Sequence, residues 1–303
     1  MQIKPPSGKD YLLLTSLAAI FGLSFIFTTI SVREIPPLTV AAARLFVALL
    51  IVYPLMRIAG QQLPAPGKIW FYVFLSGLFG NALPFALVSW GQVKVDASLA
   101  AIFMAVMPLA TILLAQIFTA DEKYNRYKLA GVILGFFGIV ILMGIDSLSS
   151  LGDENLRQFA ILCAAVCYAI NAIITRKLTS IPRYSMVAAL MIAACVLLVP
   201  ASVIIDHPWN LSVSSTALLS ILVLAVGSTA LATILILIII ERCGATFMSQ
   251  INFMVPLFGV LFGTLMLHER LAANAYIALI VILIALALSR YGQNKQLTNR
   301  KSS

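Results

Sequence analysis

Ten predominantly apolar runs constrain this chain more than any motif in it: Tyr11–Ser31, Leu38–Met56, Ile69–Trp90, Ala97–Phe118, Leu129–Gly144, Phe159–Thr175, Tyr184–Ile205, Thr216–Ile240, Ala245–Leu267 and Ala272–Ser289. Apart from Arg44 in the second, none contains a charged residue. A helix needs about 20 such residues to cross the hydrocarbon of a bilayer, and the fifth run is the shortest. A water-soluble fold could not hide that much apolar surface. Of 303 residues 61% are hydrophobic and 10% charged, against roughly 45–50% and 25% in soluble domains. The expected fold is an all-α polytopic membrane protein with ten transmembrane helices.

Lys4 and Lys9 precede the first run, as in a signal peptide. That run is longer than a signal-peptide core and lacks a clear small-x-small cleavage site, so it reads as the first span. The net charge of +9 does not imply nucleic acid, because the basic residues are spread over the connections between spans. If the N-terminus is cytoplasmic, fifteen Lys and Arg residues fall in inner segments. Four (Arg33, Lys94, Arg157 and Arg270) fall in outer ones, and Arg44 lies within a span. That asymmetry predicts a cell (inner) membrane protein with both termini cytoplasmic. Cys163, Cys167, Cys195 and Cys243 are expected as free thiols. No metal or cofactor is expected, since the two histidines, His207 and His268, are far apart in the sequence.

The chain also repeats itself. Pro108 and Pro256 both interrupt apolar runs, and 256 minus 108 is 148. At that offset Ala97-Ser98 faces Ala245-Thr246, Met104 faces Asn252 and Leu109 faces Leu257. At 147, Glu122 faces Glu269, and Phe21, Ser24 and Thr28 face Tyr168, Asn171 and Thr175. Five spans is an odd number, so a second copy must run inverted, the plan of many secondary transporters with midplane sites. The expected units are a first five-helix repeat over 1–148, a second over 149–290 and a polar cytoplasmic tail over 291–303. The boundary lies in the stretch Asp146–Arg157.

Each proline withholds a backbone donor, and in lipid the freed carbonyl must find another partner. This makes Pro108 and Pro256 candidate helix-break or gating positions. Ser249, Asn252, Pro256, Gly259 and Gly263 are spaced by three, four, three and four, as are Ala101, Met104, Pro108, Thr111 and Ala115. Both stripes should face inward. Close packing through small residues explains the glycines. An amide at mid-span, as at Asn252, needs a partner or a wet cavity.

The runs "WGQVKVDASLAAIFMAVMPLATILLAQIFTADE" and "IERCGATFMSQINFMVPLFGVLFGTLMLHERL" resemble the paired signature of the drug/metabolite transporter superfamily, EamA type. The resemblance spans residues 11 to 290. It implies two inverted five-helix repeats and a cavity lined by the first, third, fourth, sixth, eighth and ninth spans. Carried over residue by residue, it selects Ser24, Thr28, Asn81, Met104, Met107, Thr111, Tyr168, Asn171, Thr229, Thr233, Ser249, Gln250 and Asn252 as substrate-binding candidates. This chain departs from the family pattern in reading Phe21-Gly22 where Trp-Gly is frequent, and in the aliphatic "LATILILIII". An aromatic substrate cage is therefore not carried over.

Arg44 sits about 9 Å below its helix start. It could snorkel outward, pair with a carbonyl or Glu34, or capture a substrate carboxylate; the family often has arginine there. Glu122 and Glu269 read mainly as helix-end anchors. With no histidine or carboxylate inside any span, an intramembrane enzyme is disfavoured. The expected protein is a non-enzymatic secondary transporter, a monomer in the bilayer, exporting amino acids or related small-molecule metabolites by alternating access. Efflux of hydrophobic or cationic drugs, metabolite import, and a receptor or scaffold remain the alternatives.

Overall fold

The structure, a computed structural model, describes residues 6–118, 126–144 and 152–301. The expected repeat boundary in the linker, and Glu122, lie outside the described residues. The spans are α1 (Gly8–Val32), α2 (Pro37–Ile58), α3 (Ile69–Gly91), α4 (Ala97–Phe118), α5 (Arg126–Met143), α6 (Glu154–Leu178), α7 (Arg183–Ile205), α8 (Ser215–Ala245), α9 (Ile251–Met266) and α10 (Ala273–Lys301). Helix is the only regular structure among the described residues, as lipid demands of a chain that must satisfy its own backbone. The last helix continues through the expected tail as far as Lys301.

The helices pair as an inverted duplication requires. α1 packs on α9 and, correspondingly, α6 on α4. α3 packs on α6 and α8 on α1. The self-corresponding pairs α2–α7 and α5–α10 also meet. Glycines allow several of these approaches. A Cβ at Gly22 would collide with the Phe258 backbone, and one at Gly259 with the Ala101 Cβ. Large exposed side chains such as Phe71, Phe136, Phe137, Ile204 and Ile280 form the outer surface, as expected where the solvent is hydrocarbon.

The breaks do not sit on the prolines as the sequence suggested. In α4 the helix stops at Met104, turns through Ala105-Val106 and restarts at Met107, so Pro108 lies in the first turn of the second half. There its missing N–H costs no helical bond. Pro256 lies inside the continuous helix Ile251–Met266, and the corresponding break falls one turn earlier, at Ser249-Gln250. At the end of α8, just before that break, the helix is kinked at a single residue, Gly244, with φ 82 and ψ 166. A side chain would strain that conformation.

A second symmetric irregularity was not visible in the sequence. α3 carries a π-helical turn at Leu78–Ala82 and α8 one at Leu224–Leu231. π turns leave carbonyls and hydroxyls out of the regular ladder and often mark functional positions.

Candidate functional site

The two irregular helix pairs enclose one cavity of about 520 Å³, well within the size of small-molecule sites. Its walls come from α1, α3, α4, α6, α8 and α9 and the stretch leading into α9, with Arg44 reaching in from α2. Neither α5 nor α10 contributes a lining residue.

Of the expected residues, Ser24, Thr28, Asn81, Met104, Met107, Tyr168, Thr229, Thr233, Ser249, Asn252 and Pro256 line the cavity. Pro108 does not, nor do Thr111, Asn171 and Gln250. Thr111 donates to the Met107 carbonyl of its own helix at 2.9 Å. Gln250 occupies the turn before α9. The Asn171 side-chain Oδ1 accepts from the Ser76 hydroxyl, which binds α6 to α3, and the Asn171 side chain packs on the bare backbone of Gly80. Asn171 is thus an interhelical bond, whereas Asn81 and Asn252 face the cavity. Neither of those two amides has a hydrogen-bond partner among the described residues.

Pro256 still bears on the wall. Within its continuous helix, a residue in place of Pro256 would donate to the Asn252 carbonyl, whereas Pro108, in a first turn, withholds no such bond. That acceptor belongs to a lining residue.

Arg44 is 7% exposed and is the only charged lining residue among the described residues. Its Nε donates to Thr229 Oγ1 at 2.7 Å, and its Nη2 reaches Ser228 Oγ at 3.3 Å and the Ser228 carbonyl at 3.4 Å. The guanidinium lies 4.1 Å from the centre of the Phe85 ring, a cation–π contact. Both hydroxyls are oriented by the π turn, since Ser228 and Thr229 donate to the Leu224 carbonyl at 3.0 and 2.9 Å. Arg44 therefore neither snorkels nor pairs with Glu34. Glu34 instead accepts from the Ser214 amide and hydroxyl, each at 2.8 Å, and these bonds hold its carboxyl below the ordinary value of 4.5.

Phe85, Val88, Ser89 and Met248 also line the cavity and were not singled out by sequence. Spacing from Asn81 by four, seven and eight could have found the first three. Nothing local marks Met248.

The cavity has a closed and an open end. The start of α1 and the end of α10 lie on one face of the bundle, the terminal face, since ten spans return the chain to its starting side. Near the opposite, far face, Thr28 and Ser89 are only 3% and 4% exposed. There Gln92 Nε2 donates to the Phe25 carbonyl and Thr29 Oγ1, both at 2.9 Å. Glu269, beyond α9, accepts from the amides of Ala97 and Ser98 at 2.8 and 3.0 Å and from the Ser98 hydroxyl. The outer half of α4 packs on α9, while its inner half, Met107–Phe118, leaves α9 and packs on α6. The cavity therefore runs out toward the terminal face, where lining residue Ala245 is exposed.

The model of the EamA-like transporter family matches residues 9–144 and again 156–291. The chain belongs to the EamA-like transporter family. The duplicated match coincides with the two five-helix halves described above. A protein of Escherichia coli (strain K12) named probable amino-acid metabolite efflux pump is 24% identical over 295 residues, covering 94% of this chain and 96% of its own. The uncharacterized transporter YoaV of Bacillus subtilis (strain 168) is 22% identical over 285 residues, 93% of this chain and 97% of its own. One solved crystal structure superposes with a TM-score of 0.67 at 16% identity, over 98% of this chain and all of its own, a likeness of fold. As a member of this family the chain is a multi-pass membrane transporter of small molecules.

Proposed function

We propose that this transporter exports amino acids or related metabolites by alternating access, with Asn81, Asn252, Ser24, Thr28, Ser249, Met104, Tyr168 and Thr229 contacting the solute and Arg44 receiving its carboxylate. The observation that carries this reading is the cavity between inverted halves, sealed at one face and open at the other, with a buried guanidinium on its wall. Exchange of the two halves' conformations would seal the open end and release the solute at the far face. The relative named as an amino-acid metabolite efflux pump supports the substrate class and direction. Among the described residues no carboxylate or histidine lines the cavity, so the carrier is read as a facilitator without proton coupling.

The Lys and Arg asymmetry supports a cytoplasmic terminal face in a cell (inner) membrane. Single cysteines at Ser149 and Ser302, in a chain lacking its native four, test this. The first should label from outside and the second only after permeabilisation. For function, the purified chain in liposomes should exchange amino acids or their derivatives without an imposed pH gradient. Accumulation driven by protons alone would refute the facilitator, and absence of protein-dependent flux from a cell metabolite extract would refute the carrier.

A further inference from the structure

Among the described residues Arg44 holds a positive charge at membrane depth without a carboxylate to balance it. Its contacts are two hydroxyls, one carbonyl and an aromatic ring, and Nη1 has no partner among the described residues. Two acidic residues at the far ends of α1 and α7 are engaged elsewhere. Glu34 binds Ser214, and Asp206 binds the Thr39 amide and hydroxyl at 2.8 Å. The rest of the wall is neutral, and much of it is apolar: Met104, Met107, Ile236, Ile240, Met248 and Val255.

A buried charge is costly unless it is paired. A zwitterion entering this cavity leaves its net charge at plus one, a cation raises it, and a monoanion brings it to zero. A guanidinium edge with free donors also matches a carboxylate in bidentate geometry. We infer that the carried solute is a monoanion, an apolar body bearing one carboxylate and no ammonium group, such as the 2-oxo or N-acylated counterpart of an apolar amino acid. The inference rests on the carrier reading above and narrows its substrate class. It also supplies the direction. A potential negative inside drives an anion outward by about fiftyfold per 100 mV, with no ion coupling required. Cationic drugs, one of the alternatives, are the class this wall repels.

The test uses three solutes with one isobutyl side chain and different charge: 4-methyl-2-oxopentanoate, L-leucine and L-leucinamide. Thermal stabilisation of the purified wild-type chain reads binding, and timed efflux from proteoliposomes, at zero potential and at a potential negative inside, reads transport. The oxo acid should bind at least about tenfold more tightly than leucine, leucinamide should not bind, and the potential should accelerate oxo-acid efflux. Arg44→Lys should retain binding of the oxo acid and Arg44→Gln should lose it. The wild-type series stands alone if a variant fails to fold. Equal or tighter binding of leucine, preference for leucinamide, efflux insensitive to potential, or binding of none of the three overturns the inference. Leucine exchange that ignores the potential would do so while leaving the carrier reading intact.

Discussion

Glu269 caps a helix that is not its own. Its two carboxylate oxygens accept the amides of Ala97 and Ser98, the first donors of α4, at 2.8 and 3.0 Å. Asp96, the local N-cap residue, makes no side-chain cap. The contact fastens the far ends of α4 and α9, which must separate if the cavity is to open there. Hydrogen bonds to a charged acceptor at a helix N-terminus contribute about 1.5–3 kcal/mol each. Glu269→Ala should therefore shift the carrier toward the far-open form by at least tenfold. A cysteine at Ser89, in a chain lacking the native four, reads the shift. Impermeant thiol reagent from the far side should modify it faster in the variant, and an unchanged rate would refute the clamp.

Asp96 gives the same corner a pH dependence. Burial, and then the carboxylates of Glu269 and Glu154, push its carboxyl up from the ordinary 3.8; Arg270 lines the same recess. Because the folded value lies above the unfolded one, the native state binds this proton more tightly. Its contribution to stability is then greatest at low pH and is lost as pH rises from 3.8 through the raised value. Asp96→Asn should flatten that fall and raise the melting temperature at neutral pH, by about 2–4 °C for each kcal/mol relieved. A variant that melts lower at neutral pH, with the slope unchanged, contradicts this.

Asn81 and Asn252 face the cavity without protein partners, whereas Asn171 is bonded to Ser76. Asn81→Ala and Asn252→Ala should each slow transport about fivefold, the worth of one hydrogen bond to a bound solute, and leave thermal stability near that of the parent. Asn171→Ala should show the reverse, with loss of stability exceeding loss of rate. Wild-type flux in correctly inserted Asn81 and Asn252 variants would remove them from the site.

Gly259 meets Ala101 so closely that an added Cβ has no room. Gly259→Ala should cost about 1–3 kcal/mol through overpacking, seen as a lower melting temperature. The double variant with Ala101→Gly should recover most of it, since the two residues share one contact. A destabilisation that the second change does not relieve would place the strain elsewhere.

The sequence by itself determined the solvent, the helical class, the number of spans and the inverted duplication. Apolar run length and an offset near 148 follow from the chain alone, because a bilayer leaves the backbone no other solution. Through the family resemblance it also marked many of the polar residues of the cavity wall, Ser24, Thr28, Asn81, Ser249 and Asn252 among them, while much of the apolar wall went unmarked. What it left open was which polar side chains are used internally. Asn171 and Asn81 look alike in the sequence, and only the packing of α6 on α3 brings Ser76 to the first. The π turns in α3 and α8, and the breaks at Ala105-Val106 and Ser249-Gln250, were likewise not legible in the apolar pattern, which runs unbroken through them. Arg44 depends on contacts between helices, since its partners Ser228 and Thr229 are more than 180 residues away. Its unbalanced charge is a property of that tertiary neighbourhood, since a charge is judged by what surrounds it and not by what precedes it in the chain.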